Sequence, residues 1–158
     1  MKQKILFVCL GNICRSAAAN GVMEKMAEDR GVSHLFEIDS AGTYAGHSGS
    51  LPDSRMRQAA SRRGYNLTHR ARQISVEDFD LFDRIITMDD SNYHNVCRIA
   101  PTSESVDKVE RFASLVRHHD DVHYIPDPYY SGSEGFELVL DLLEDGCETI
   151  LSLSIDRT

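Results

Sequence analysis

The sequence predicts an α/β protein: a single domain over residues 1–158, with a four-stranded parallel sheet covered by helices on both faces. Three observations carry this. Short apolar runs alternate with helical patterns along the chain, the pattern of strand-helix-strand units. The first apolar run ends in a compact loop, Cys9-Leu10-Gly11-Asn12-Ile13-Cys14-Arg15-Ser16, that passes straight into a helical repeat. The length of 158 residues suffices for one domain with a sizeable core and is short for two.

The elements follow in order. Lys4-Ile5-Leu6-Phe7-Val8 is an apolar, partly β-branched run of strand length, and Gly11-Asn12 supplies residues that tolerate the dihedrals of a tight loop. After Ser16, Ala19, Val22, Met23 and Met26 recur at helical spacing, with Gly31 as the stop. Phe36-Glu37-Ile38-Asp39 is a second strand, ending at Ser40-Ala41-Gly42-Thr43. A long loop containing Gly and Ser follows, then a helix capped by Asp53 and closed by Gly64. Leu81 to Met88 leads into a third strand, and Val106 to Phe112 is a weaker fourth. The last helix is the plainest: Phe136, Val139, Leu140, Leu143, Cys147, Ile150 and Leu151 recur at three- and four-residue steps after Ser131-Gly132-Ser133. In such folds ligands bind beyond the carboxyl ends of the strands, so the loops holding Cys9 to Ser16, Ser40, Met88-Asp89 and Asp127 are expected around one site.

The first loop has chemistry of its own. A loop that leaves a strand and enters a helix turns successive backbone N–H groups into one concavity, at the positive end of the helix dipole. That makes a phosphate-binding loop of Leu10, Gly11, Asn12, Ile13, Cys14 and Ser16. A thiol at its first position, Cys9, feels the same field, which favours the thiolate. Arg15 closes the loop with a planar fork able to hold two phosphate oxygens, and Ser16 can donate a hydrogen bond to the sulfur. Downstream, Pro126-Asp127-Pro128-Tyr129-Tyr130 confines Asp127 to an extended or turn conformation, a rigid arm for a carboxyl group.

Bulk properties exclude several classes. A formal net charge of -8 argues against nucleic-acid and anionic-membrane partners. Arg55, Arg57, Arg62, Arg63, Arg70 and Arg72 cluster against this acidic background and read as a solvated helix face. The apolar stretch after Lys4 is too short for a signal peptide and runs into Gly11, Asn12 and Arg15. The four cysteines show no disulfide framework or zinc spacing, which fits a reducing cytoplasm, and His118, His119 and His123 read as a polar loop, so neither metal nor cofactor is expected.

The loop, together with Asp39-Ser40-Ala41-Gly42-Thr43, Ala71-Arg72-Gln73, Asp78-Phe79, Met88-Asp89 and Asp127-Pro128-Tyr129-Tyr130, resembles the low-molecular-weight protein tyrosine phosphatases, with the motifs in family order across nearly the whole chain. The resemblance implies that Cys9 attacks phosphorus to form a phosphocysteine, that Arg15 and the loop amides stabilise the equatorial oxygens, and that Asp127 serves as acid and then base. It implies a supporting network of Asn12, Ser16, Ser40 and His69, pocket walls from Tyr129 and Tyr130, and a Cys14 able to pair reversibly with the nucleophile. The implied partners are phosphotyrosine-containing proteins, with inorganic phosphate or a similar oxyanion in the loop.

The chain departs from the family pattern at three places. Ala17 stands where proline is usual, Asn20 where glutamate is common, and Gly46 where the substrate-facing loop commonly carries tryptophan or tyrosine. The last leaves one pocket wall to be supplied by Tyr44 or His47. Related protein-arginine phosphatases carry threonine at the position of Ile13, which favours tyrosine specificity here. Arsenate reductases of similar fold need further cysteines, whereas this chain has Thr87-Met88-Asp89-Asp90 at the corresponding place. A noncatalytic phosphate-binding module would lack the nucleophile or the acid, and both Cys9 and Asp127 are present.

Overall fold

The computed structural model describes residues 2–129 and 131–155. Its sheet has four parallel strands in the order β2-β1-β3-β4: β1 Gln3–Cys9, β2 Phe36–Gly42, β3 Arg84–Thr87 and β4 Val109–Arg111. The helices are α1 Arg15–Asp29, α2 Ser54–Arg62, α3 Asp78–Leu81, α4 Asp90–Ile99, α5 Ser103–Val106 and α6 Ser133–Ile155. Single 3₁₀ turns cover Ser33–Leu35 and Phe112–Leu115.

β1 is central, and Ile5 through Val8 are fully buried, the continuous apolar run expected of a parallel strand covered on both faces. The pleat divides its side chains between two cores. Ile5 and Phe7 join Ile86 of β3 in packing against α1, α2 and α6. Leu6 and Val8 face the opposite side, against Ile85, Phe79, Phe82 and Val96 of α4. The stop at Gly31 and the end at Gly64 both lie at positive φ, 69° and 88°, where glycine closes a helix without strain.

The fourth strand is shorter than the sequence predicts. Val106 closes α5 and Phe112 opens a 3₁₀ turn, leaving three residues that pair with β3 alone. The buried Phe112 ring, 6.1 Å from that of Phe7, fills the first core from a turn where the apolar pattern had suggested a strand.

The arginine cluster is less solvated than its composition suggests. Arg63 reaches Glu137, Asp141 and Glu144 on α6, and Arg72 bonds Asp39 and Asp78. The histidine-rich loop is tied down by buried Asp145 of α6, which accepts the backbone N–H groups of Arg117 and His118 and meets the His119 ring at 2.7 Å. Burial acts against the Asp145 charge, but these bonds prevail and hold its pKa below the usual carboxylate range. No helix among the described residues is long and apolar enough to cross a membrane.

Candidate active site

The site lies where β1 ends and α1 begins. Cys9 is the last residue of β1 and Arg15 the first of α1, so strand and helix fix the two ends of the loop. Between them Asn12 adopts φ 58°, the left-handed turn that bends the loop into a concavity. The end of β2 runs beneath it. A Cβ on Gly42 would come within 2.6 Å of the Leu10 carbonyl oxygen, so only glycine permits this backbone approach. The Thr43 and Tyr44 amides then donate to the carbonyls of Cys9 and Leu10 at 3.0 and 2.9 Å.

Behind the loop, a chain of hydrogen bonds leads to Cys9. The Asn12 Oδ1 accepts the backbone N–H of Arg72 at 3.1 Å, which fixes the orientation of the carboxamide. His69 Nε2, 3.0 Å from the same oxygen, must therefore carry a proton and donate to it. The Asn12 Nδ2 donates to Ser16 Oγ at 2.8 Å, and Ser16 Oγ lies 3.0 Å from Cys9 Sγ, closer than its 3.3 Å to the Ala41 carbonyl. The Ser16 hydroxyl is thus within reach of both the sulfur and the Ala41 carbonyl, and the Ser16 backbone N–H donates to the sulfur at 3.4 Å. Burial lowers the His69 pKa, with Arg72 adding to the effect and Asp39 opposing it. Ser40 meets this network through its backbone, which is hydrogen-bonded to His69, while its buried hydroxyl donates to Asn20 Oδ1 at 2.9 Å and Asn20 in turn bonds Glu24. The asparagine at position 20 therefore ties β2 to α1.

Arg15 is oriented before any ligand arrives. Its side chain is 4% exposed, and its Nη1 donates to Asp89 Oδ2 at 2.7 Å and to the Ile125 carbonyl at 3.0 Å. Burial disfavours the guanidinium charge, but Cys9 and Asp89 outweigh it and raise the pKa above the ordinary value. Cys14 experiences the reverse. Burial, reinforced by the charges of Cys9, Asp53 and Asp127, pushes its thiol pKa far up and keeps it protonated.

Asp127 stands across the cavity, with Oδ2 3.9 Å from Arg15 Nη2 and Oδ1 accepting the Tyr129 backbone N–H at 3.1 Å. The loop that carries it is braced by the Ser131 amide, which donates to the Pro128 carbonyl at 2.9 Å. Cys9, Leu10, Gly11, Ile13, Cys14, Arg15, Tyr44, His47, Asp127 and Tyr129 line one cavity of about 310 Å³. Tyr130 lies outside the described residues. In the same lining, the Tyr44 ring lies beside Gly46, where an added Cβ would come 2.1 Å from it. His47 packs edge-on to Tyr44 with centroids 5.9 Å apart, and its Cδ2 sits 2.9 Å from where a Gly11 Cβ would be. Tyr44 and His47 together make the wall that Gly46 itself cannot supply.

Sequence reasoning placed Met88-Asp89 on the rim and gave its carboxylate no task. Asp89 both holds Arg15 and caps α4, its Oδ1 accepting the Asn92 N–H at 2.8 Å while Asn92 Oδ1 accepts the Asp89 N–H. A carboxylate followed three residues later by a carboxamide, after an apolar run, was the available signal for the cap. The pairing with Arg15, 74 positions away, left no local trace.

Relatives with this arrangement are known. Residues 4–158 match the family model of the low molecular weight phosphotyrosine protein phosphatases. A low molecular weight protein-tyrosine-phosphatase of Streptomyces coelicolor is 37% identical over 157 residues, covering 96% of this chain and 93% of that protein. Among solved structures, a protein tyrosine phosphatase from Entamoeba histolytica with Hepes in its active site superposes with a TM-score of 0.92 at 39% identity, over 99% of this chain and 100% of the other. An arginine phosphatase of Drosophila gives 0.86 at 32% identity, over 96% of each chain. With motif, fold and relatives in agreement over essentially its whole length, the chain belongs to the low molecular weight phosphotyrosine protein phosphatase family.

Proposed function

We propose that this enzyme hydrolyses phosphotyrosine in proteins through a phosphocysteine intermediate on Cys9. The observation that carries the reading is that one cavity gathers the Cys9 sulfur, the buried Arg15 fork and the Asp127 carboxyl, with Asp127 Oδ2 3.9 Å from Arg15 Nη2. The Cys9 thiolate attacks phosphorus and the bond to the tyrosyl oxygen breaks, that oxygen taking the proton from Asp127. A water then attacks the phosphocysteine, giving its proton to Asp127, and phosphate leaves as the sulfur–phosphorus bond breaks. Arg15 and the loop amides meet the charge on the equatorial oxygens in both steps. The chain's own groups supply the nucleophile, the anion clamp and the proton, so the proposed steps call on no cofactor.

The cavity favours an aryl ester. Tyr44, His47 and Tyr129 offer ring faces to a substrate ring, and Ile13 presents an apolar side chain at the phosphate end. The cysteines are free, which fits a reducing cytoplasm, and Cys14 beside the nucleophile serves as its reversible disulfide partner under oxidation.

Hydrolysis of matched phosphotyrosine, phosphoarginine and phosphoserine peptides tests the reading. Native enzyme should prefer phosphotyrosine. Cys9→Ser should lose nearly all turnover and Asp127→Asn at least a hundredfold of it. Unchanged turnover in Cys9→Ser would overturn the mechanism, and a preference for phosphoarginine would overturn the substrate class.

A further inference from the structure

Arg55, in the first turn of α2, connects the phosphate loop to the segment that carries Asp127. On one side it is bound to Asp53, the N-cap of α2: Nε and Nη2 donate to the two carboxylate oxygens at 3.2 and 3.0 Å, and the Arg55 backbone N–H donates to Oδ1 at 2.8 Å. Asp53 is itself fastened to the phosphate loop, its backbone N–H donating to the Ile13 carbonyl at 2.6 Å. Burial works against the Asp53 charge, but the bonds from Arg55 outweigh it and hold its pKa below the usual range, so the pair is ionised at neutral pH.

On the other side, Arg55 Nη1 donates to the Tyr129 carbonyl at 3.0 Å. Its guanidinium carbon lies 5.1 Å from the centroid of the Tyr129 ring and 5.0 Å from that of Phe136, which is buried in the first turn of α6. One planar group thereby fixes both the peptide and the ring of Tyr129. The Tyr129 amide is also the group that holds Asp127 Oδ1, leaving Oδ2 facing Arg15 and the cavity.

We propose that Arg55 is a positioning residue for proton transfer: through Tyr129 it sets the orientation of the Asp127 carboxyl relative to the phosphate loop, with Asp53 as its fixed anchor. This rests on Asp127 being the general acid. Arg55 is not among the residues that line the cavity holding Cys9. Its loss should therefore weaken proton donation while leaving phosphate binding and nucleophilic attack in place.

The test uses kcat/KM, which reports the first chemical step, for two aryl phosphates of different leaving group. Phenyl phosphate releases a weakly acidic phenol, with a pKa of about 10 like tyrosine, and needs the proton. Dinitrophenyl phosphate releases a stable anion and does not. Arg55→Met keeps an apolar chain against Tyr129 and Phe136 and removes the hydrogen bonds; Arg55→Ala removes both. For either variant the expected result is a loss of roughly tenfold on phenyl phosphate and less than twofold on dinitrophenyl phosphate, the scale of a modest misplacement of a reacting group. In the Asp127→Asn background, adding Arg55→Met should cost nothing further on phenyl phosphate. Equal losses on both substrates, no loss on either, or a full additional loss in the double variant would overturn the proposal. If Asp127→Asn alone spares phenyl phosphate, the acid assignment fails and the role of Arg55 fails with it, a result visible in that single variant.

Discussion

Arg15 and Asp89 are joined at 2.7 Å by a carboxylate that divides its two oxygens between the buried guanidinium and the start of α4. The two tasks can be separated by substitution. Asparagine caps a helix about as well as aspartate but leaves the buried guanidinium without its counter-charge. Asp89→Asn should therefore lower kcat/KM by about tenfold or more and lower Tm as well, because the buried guanidinium loses its counter-charge. Asp89→Ala should add a stability loss of about 1 kcal/mol for the missing cap. Thermal melts alongside turnover check this, and an unchanged Tm for Asp89→Asn would show that the buried guanidinium does not depend on that counter-charge.

The neutral His69 gives the fold a pH dependence. Its pKa in the folded protein is lowered, principally by burial, so between that value and the ordinary histidine value near 6.5 the unfolded chain binds the extra proton and the folded one does not. Stability from this group is full above the unfolded pKa and is lost as pH falls. Denaturant titrations at pH 7.5 and 5.5 should show a larger acid loss for the native protein than for His69→Gln, by up to about 1.4 kcal/mol for each unit of displacement. An identical acid loss in the two proteins would contradict it.

A side chain at position 46 should displace Tyr44 from the pocket wall. The added Cβ would lie 2.1 Å from that ring, but Tyr44 is 54% exposed and free to swing outward. Gly46→Ala should thus change stability by less than about 1 kcal/mol, the range of surface substitutions, while raising KM for aryl phosphates severalfold. Gly46→Trp should recover part of that loss by supplying a ring of its own. Steady-state kinetics on the native protein and both variants decide the matter, and an unchanged KM in Gly46→Ala would show that the Tyr44 wall contributes nothing to binding.

Oxidative protection by Cys14 should be slow at neutral pH. Peroxide converts the Cys9 thiolate to a sulfenic acid; the Cys14 thiol must then lose its proton, attack that sulfur and expel hydroxide. Because burial pushes the Cys14 pKa far up, little of it is ionised near neutrality, and the closing step should quicken as pH rises. After brief peroxide and then thiol treatment, native enzyme should regain most of its activity, whereas Cys14→Ser should regain several times less. Equal recovery would remove Cys14 from the scheme.

The strands, the first and last helices and the phosphate loop were legible because each is written in a local pattern: apolar runs, helical spacing and glycine stops. The fourth strand misled because Phe112 is buried by a 3₁₀ turn that brings it against Phe7, a contact that apolarity alone cannot tell from strand pairing. Within the site, Cys9 and Arg15 are neighbours in sequence and could be read together. The Asp89 clamp, the Arg55 connection and the turn of Ser40 towards Asn20 join residues far apart, and only the folded chain reveals which donor meets which acceptor. Tyr44 and His47 both line the cavity, and the Tyr44 ring occupies space that a side chain at position 46 would claim.

The left-handed turn at Asn12 limits what evolution can place there from two directions. Glycine would adopt the backbone angle at lower cost but would break the hydrogen bonds that join His69, the Arg72 peptide and Ser16. Alanine or serine would forfeit those bonds and suffer the steric penalty as well. Aspartate tolerates the turn but carries no N–H to donate to Ser16 Oγ. Asparagine alone meets both the conformational and the hydrogen-bonding demand, so this position should be as intolerant of exchange as Cys9, although it does not line the cavity.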